Sequence, residues 1–279
     1  MRLLLCSTAD EASVNIKERL LEKAKWKEIG TYHDHPVLSH GEDLLATFPA
    51  VHLFADGIDQ EVAKATGKEF ESVVFLSRHK AASGIPTLTV HPIGNFGKAD
   101  YGGKEGTLVP SAPEMMTSTL RSMQRMAAGL PFQVSFEVTH HGPFLATPTM
   151  YIEIGSDESN WGNIEAGRVL AQALLETEVQ KAPRAIGIGG GHYAPRFSES
   201  VITKKVAFGH MIPNHAFEVS DDESIKRMIH MALEGSSGAK LAYIHKKSMA
   251  RSRATHLKGL VESMGAEVID SSDLEDLVA

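Results

Sequence analysis

The 279 residues carry a formal charge of −7, with 42% hydrophobic and 23% charged side chains and one cysteine, Cys6. That composition supports a full-sized core and excludes a disordered chain, a disulfide-stapled miniprotein and a cysteine-based zinc site, while the negative charge argues against a protein that coats DNA regardless of sequence. No stretch approaches the ~20 apolar residues of a membrane span, and the amino terminus lacks a basic segment followed by an apolar run and a cleavage site, so a reducing compartment, most simply the cytoplasm, is expected.

In chain order, the apolar run at 3–6 reads as a strand, and the capping-box pattern Thr8-Ala9-Asp10-Glu11 opens a helix carrying Val14, Ile16, Leu20, Leu21 and Ala24 among charges. Runs rich in apolar and β-branched residues at 72–77 and 87–91 predict two more strands. Ser111 then caps a helix ending near Gly129, with Met115, Met116, Met123 and Met126 as packing residues. Strands follow at 132–138 and 149–154, a helix over about 159–181, and strands at 184–187 and 206–209. Ser220-Asp221-Asp222-Glu223 caps a helix whose Ile225, Met228, Ile229, Ala232 and Leu233 share one face. Strands at 241–244 and 267–269 flank a last helix near 254–264. This alternation predicts an α/β fold with a mixed, largely parallel sheet covered by helices on both faces. No repeat or low-complexity linker divides residues 1–279, so one domain is expected.

The composition anomaly is histidine, at 14 residues against five tyrosines and two tryptophans. The chain has no Gly-x-Ser-x-Gly elbow, no phosphate-binding Gly-x-x-x-x-Gly-Lys-Ser/Thr loop and no His-Glu-x-x-His. Gly187-Ile188-Gly189-Gly190-Gly191 follows a strand but runs into His192, and no acidic residue ends a clear strand about 20 residues on, so a dinucleotide site is not expected. What remains is a set of polar clusters closing predicted strands: Ser77-Arg78-His79, His91, Glu137-Val138-Thr139-His140-His141-Gly142-Pro143, Glu153-Ile154-Gly155-Ser156, Gly189-Gly190-Gly191-His192-Tyr193, and His210. In an open α/β sheet that edge forms the ligand crevice, so His79, His91, Glu137, His140, Glu153 and His192 are expected to converge there.

Each cluster also has a duller reading. His79 and His210, taken singly, read as hydrogen-bonded loop residues. His140 and His141 point to opposite faces if the strand continues, unless Gly142-Pro143 breaks it and turns both inward. Period two puts Glu137 on the face of His141, a pair suited to metal binding or to orienting a general base. Gly189, Gly190 and Gly191 either permit a tight turn or present N–H groups to an oxyanion. His33, His35, His40 and His52 are expected to decorate the surface, and Cys6 to lie in the core. Lys246, Lys247, Arg251, Arg253 and Lys258 concentrate cations in an acidic chain, either as a solvated helix start or as a phosphate-contact strip.

Taken together, Ser77-Arg78-His79, His91-Pro92-Ile93-Gly94-Asn95 with Gly97-Lys98, Tyr101-Gly102-Gly103, the Glu137 to Pro143 motif, Glu153-Ile154-Gly155, the Gly187 to Pro195 motif and Phe208-Gly209-His210 resemble the archaeal and plant type of D-aminoacyl-tRNA deacylase. The resemblance runs from the first strand to the last helix. It implies a three-layer α/β/α fold of phosphorylase/hydrolase kind, zinc dependence, and hydrolysis of the ester joining a D-amino acid to the terminal ribose of tRNA. On that footing the zinc ligands come from His91, Glu137, His140, His141, Glu153 and His192. The catalytic groups come from His79, His91, Glu137, His140 and His192, with Gly189, Gly190 and Gly191 as oxyanion donors. With no Ser or Cys nucleophile pattern, direct attack by water is preferred to an acyl-enzyme. Lys246, Lys247, Arg251 and Arg253 would hold tRNA phosphates, with Arg78, Lys98 and Lys104 as the alternative grip. The expected partner is D-aminoacyl-tRNA, with neither DNA nor membrane, and the expected state is a monomer. A metal-dependent amidase or peptidase and a non-catalytic tRNA- or nucleotide-binding protein are the competing classes.

Overall fold

β1 (Arg2–Ser7) buries Leu3, Leu4, Leu5 and Cys6 completely. A strand buried on both faces belongs at the centre of a covered sheet, and β1 lies between β4 (Asp43–Phe48) and β5 (Ser72–Arg78), parallel to both. The computed structural model describes every residue except 83, 219, 278 and 279. Burial also pushes the Cys6 thiol up to about 11, which fits a core residue and not a nucleophile.

The cap of α1 (Glu11–Lys23) is Asp10, whose carboxylate accepts from Ser13 N at 3.0 Å, and not Thr8. Residues 27–48, to which the sequence pattern assigns no element, form β2 (Lys27–Tyr32), β3 (His35–His40) and β4, an antiparallel margin added to the parallel centre. β2 is exposed at five of its six positions, so no apolar alternation announced it. His33 is exposed, and His35 and His40 are half-buried. His52 is buried, with 3% exposure, which corrects its assignment to the surface.

β10 (Thr149–Gly155) pairs with β5 in parallel and with β6 (Thr87–His91) antiparallel, while β9 (Gln133–Phe136) runs parallel to β6. The large sheet therefore has eight strands in the order β2-β3-β4-β1-β5-β10-β6-β9. The later strands do not join it. β11 (Arg184–Ile188), β12 (Ala207–Ile212), β13 (Leu241–Ile244) and β14 (Glu267–Ile269) make a separate parallel sheet in the order β12-β11-β13-β14, so the expected single sheet is two. A small hairpin joins β7 (Gly94–Asn95) to β8 (Thr107–Leu108).

α3 (Pro113–Met126) packs on β6, β9 and β12 and so fills the space between the sheets. Its Met116, Leu120 and Met123 are fully buried, each worth about 1.5–3 kcal/mol of transfer free energy. Ser111 does not cap it; the Ser111 hydroxyl donates to Gly235 O at 2.9 Å, and Pro113 begins the first turn. The helix expected over 159–181 is α4 (Glu158–Trp161) followed by α5 (Ile164–Glu176), because the Asn163 side chain accepts from Ala166 N and starts a new helix. α2 (Ile58–Thr66) covers the other face of the large sheet. α7 (Asp222–Gly235), capped by Asp221 in place of Ser220, and α8 (Arg251–Ser263) cover the small sheet, while α6 (Pro195–Thr203) packs on β9 and β12. Among the described residues no helix is long and apolar enough to cross a membrane.

Candidate active site

The site lies where the large sheet reverses direction. Across β10, Glu153 is level with Ser77 of β5 on one side and Thr89 of β6 on the other, and Tyr151 is level with His91. β6 has only five residues, so His91 at its carboxyl end reaches the middle of β10, while His79 lies just beyond the end of β5. The expected convergence is present, but over a junction of opposed strands and not along one carboxyl edge. Glu137 extends β9, with its N–H donating to Val90 O at 3.1 Å.

Backbone pairing between the sheets completes the cluster. Val138 N donates to His192 O at 3.0 Å and Ala194 N to Phe136 O at 2.9 Å. This places His192 Nε2 2.8 Å from Glu137 Oε2, with Glu137 fully buried and the His192 side chain 44% exposed. His79 Nδ1 is 3.3 Å from Glu137 Oε1, and His140 Nε2 is 3.6 Å from Glu137 Oε2. Glu153 Oε2 lies 3.5 Å from both His79 Nδ1 and His91 Nε2.

His140 and His141 both turn inward. His141 takes a positive φ of 44°, and the Gly142 N–H donates to Tyr101 O at 3.0 Å. A Cβ on Gly142 would lie 2.2 Å from Gly103 N, and one on Gly102 1.7 Å from Leu53 O, so the backbones meet only because both are glycine. The His140 and His141 rings sit 4.3 and 4.9 Å from that of His91. Period two paired Glu137 with His141; the break at Gly142 gives Glu137 to His140 instead.

The charges are organised around two buried carboxylates. Burial alone would raise Glu153, but the adjacent His91 and His79 hold it well below the usual carboxylate range. Glu137 is likewise lowered against its burial, by the His192 imidazole beside it and the charges of His91 and His79. His79 and His91 are raised, because Glu153 and Glu137 outweigh burial. His140 is well below its ordinary value and His141 is near 3, through burial first and then the charge of His91.

Three imidazoles share one hydrogen-bond pattern. The Nδ1 atoms of His91, His140 and His141 lie 3.2, 2.8 and 2.6 Å from the carbonyls of Pro92, Val138 and Gly142. A carbonyl only accepts, so each Nδ1 carries a proton, and in the neutral ring Nε2 keeps its lone pair. A nitrogen of each ring lies within 4.8 Å of the others, and the same holds for one atom each of His91, Glu137 and Glu153.

The family model for D-aminoacyl-tRNA deacylase matches residues 66–269. The D-aminoacyl-tRNA deacylase of Methanosarcina mazei is 34% identical over 282 residues, covering 98% of this chain and 93% of that protein. The Pyrococcus horikoshii protein of the same name is 34% identical over 277 residues, with coverages of 96% and 99%. This chain belongs to the D-aminoacyl-tRNA deacylase family. Its reaction is hydrolysis of the ester bond of D-aminoacyl-tRNA. The namesake of Methanococcoides burtonii is longer: at 36% identity it is matched by 99% of this chain, which spans 57% of its length. A crystal structure of a conserved protein of unknown function superposes with a TM-score of 0.88 at 33% identity, covering 100% of this chain and 99% of that one.

In this deacylase-family chain, the candidates His79, His91, Glu137, His140, His141, Glu153 and His192 all meet in one cluster. Others do not. His210 is buried inside β12, with Nδ1 3.0 Å from Thr139 Oγ1 and Nε2 3.0 Å from Val109 O. The Gly189 N–H donates to Ile212 O at 2.8 Å and the Gly190 N–H to Ser248 Oγ at 3.0 Å, so two of the three expected oxyanion donors are already committed to the fold. In the basic strip, Lys246 pairs with Asp270 at 3.3 Å, and Arg253 donates to Phe217 O at 2.7 Å over the Phe217 ring. Arg253 therefore ties α8 to the chain before α7. Lys247 and Arg251 have no ion pair among the described residues.

A cleft of about 400 Å³ above the cluster is also lined by Tyr101, from the Tyr101-Gly102-Gly103 motif, and by Asp10, His52 and Tyr151, which the sequence did not single out for the site. Asp10 follows the end of β1 just as the other clusters follow their strands, and that position was the available signal. Tyr151 lies within a strand and His52 in a polar stretch, where nothing distinguished them.

Proposed function

We propose that the ester is cleaved by direct attack of water, with His192 as general base, Glu137 as its orienting carboxylate, and His91, His140 and His141 as ligands of a zinc ion. The observation that carries the catalytic part is the contact between a half-exposed imidazole and a fully buried carboxylate, 2.8 Å apart. Neither oxygen of Glu137 has a well-formed hydrogen bond, and its charge 2.8 Å from Nε2 favours a proton there, which leaves Nδ1 as the basic atom. His192 is open to water, whereas His79 and His91 are 5% and 0% exposed.

In this reading a water proton passes to His192 Nδ1 while the water oxygen bonds to the ester carbonyl carbon. The tetrahedral intermediate collapses by breaking the bond to the ribose oxygen, which takes the proton from the imidazolium, giving free D-amino acid and tRNA. Glu153 and Glu137 raise the pKa of His79 against its burial, and an imidazolium there would stabilise the developing oxyanion.

The support for zinc is the donor set. Three neutral-capable imidazoles point lone pairs inward while their Nδ1–H groups are held by carbonyls, the arrangement that fixes metal-bound histidines. His91 Nε2 is buried without a well-formed hydrogen bond. The two buried carboxylates raise His79 and His91, and a bound cation would balance their charge instead. Bound there, zinc would supply Lewis acidity to the reaction.

His192→Ala tests the catalytic assignment. Single-turnover hydrolysis of D-aminoacyl-tRNA is expected to fall at least about 100-fold in a folded protein, the scale of a lost general base. A near-wild-type rate would overturn the role.

A further inference from the structure

Two clefts share the cluster. One is the 400 Å³ cleft containing Asp10 and Glu153; the other, of about 510 Å³, contains Phe96, Lys98 and Arg227, and Tyr101, His140 and His141 line both. Their charges differ. Among the described residues no carboxylate lines the second cleft, although the chain holds 35 acidic against 28 basic side chains. Its two cations are also uncommitted: among the described residues the side chain of neither Lys98 nor Arg227 has an ion pair or hydrogen bond to the protein. The first cleft also holds two cations, but both are engaged: Lys80 pairs with Glu158 at 2.9 Å and Arg78 lies over the Trp161 ring at 4.9 Å, while Lys104 nearby lies 3.6 Å from the centre of the Phe144 ring.

Tyr101 stands on the wall between the clefts with 69% of its surface exposed. Its backbone is nevertheless fixed. Tyr101 O accepts from Gly142 N at 3.0 Å, and Asn95 Nδ2 donates to Gly102 O at 2.9 Å. An exposed ring on a pinned backbone presents an apolar face at a fixed place, the kind of element on which a nucleobase stacks.

We propose that the cleft of Phe96, Lys98, Tyr101 and Arg227 receives the terminal nucleotide of the tRNA acceptor strand, with the base against Tyr101 and the phosphate held by Lys98 and Arg227. The cleft of Asp10 and Glu153 then takes the aminoacyl group. This rests on the reading that the ester is cut at the His/Glu cluster. The ester joins an ammonium-bearing acyl group to a phosphate-bearing nucleotide, so its two ends carry opposite charge. Of the two clefts, only the first holds carboxylates, and only the second holds cations with no carboxylate beside them. The reverse placement would bring a phosphate against two carboxylates and leave two cations facing nothing. A volume of 510 Å³ lies within the range of about 300–1,000 Å³ usual for small-ligand clefts.

The test uses the full chain and uncharged tRNA, with and without its terminal adenosine, measuring affinity across salt concentrations. The wild type is expected to prefer the intact tRNA. Lys98→Ala/Arg227→Ala should weaken binding of intact tRNA about tenfold, flatten the salt dependence by roughly one unit, and remove most of the preference for the terminal adenosine. Tyr101→Ala should reduce that preference with the salt slope unchanged, because stacking releases no counterions. Equal losses on both tRNAs would place the cations elsewhere on the nucleic acid, and no loss would make the cleft plain surface; either result overturns the proposal. No ester is cut in this assay, so its failure is distinct from failure of the catalytic reading, which would appear as an unimpaired rate in His192→Ala.

Discussion

His192 Nε2 lies 2.8 Å from Glu137 Oε2, a contact made by residues from different sheets and held by backbone pairing on either side of it. One end of the pair is dry and the other meets water, which suits a carboxylate that orients and an imidazole that moves protons. Glu137→Gln keeps the shape and removes the charge, and is expected to slow single-turnover hydrolysis about 10- to 100-fold. Combined with His192→Ala it should add little beyond the histidine loss, because residues acting as a unit are not additive. Losses that multiply would separate the two roles.

His210 makes the fold sensitive to acid independently of the site. Its burial lowers the imidazole from the usual 6.5 to about 4. The unfolded chain therefore binds a proton that the folded one refuses, so this contribution to stability is full above pH 6.5 and is lost as pH falls towards 4. The loss should reach about 2 kcal/mol by pH 5. Urea unfolding at pH 7 and pH 5 checks this: His210→Gln should be less stable at pH 7 and lose less on acidification. Parallel losses in both proteins would remove His210 as the cause.

Arg253 is expected to report on stability and not on tRNA. Its guanidinium donates to Phe217 O at 2.7 Å, and Arg253→Ala should lower unfolding free energy by about 1–2 kcal/mol while leaving the salt slope of tRNA binding unchanged. Unaltered stability with a shallower slope would return Arg253 to the phosphate-contact strip.

Much of the site was legible because chemistry-bearing residues follow apolar runs: His79 after β5, His91 closing β6, His192 after β11. Pairing was not. Nothing in residues 149–155 states that β10 runs antiparallel to β6, yet that reversal sets His91 beside Glu153. The motif Gly189-Gly190-Gly191 shows donors but not the Ile212 and Ser248 oxygens that occupy two of them. β2 escaped notice because an exposed edge strand needs no alternation, and the second sheet because strand composition does not name its neighbours.

The most direct test of the central claim is metal content and single-turnover deacylation measured on the same sample before and after chelation, for the wild type and for His141→Ala. The expected result is zinc bound to the wild type and largely absent from the folded variant, with chelation lowering the rate at least about 100-fold and added zinc restoring it. A metal-free wild-type sample that hydrolyses D-aminoacyl-tRNA at its full rate would contradict it.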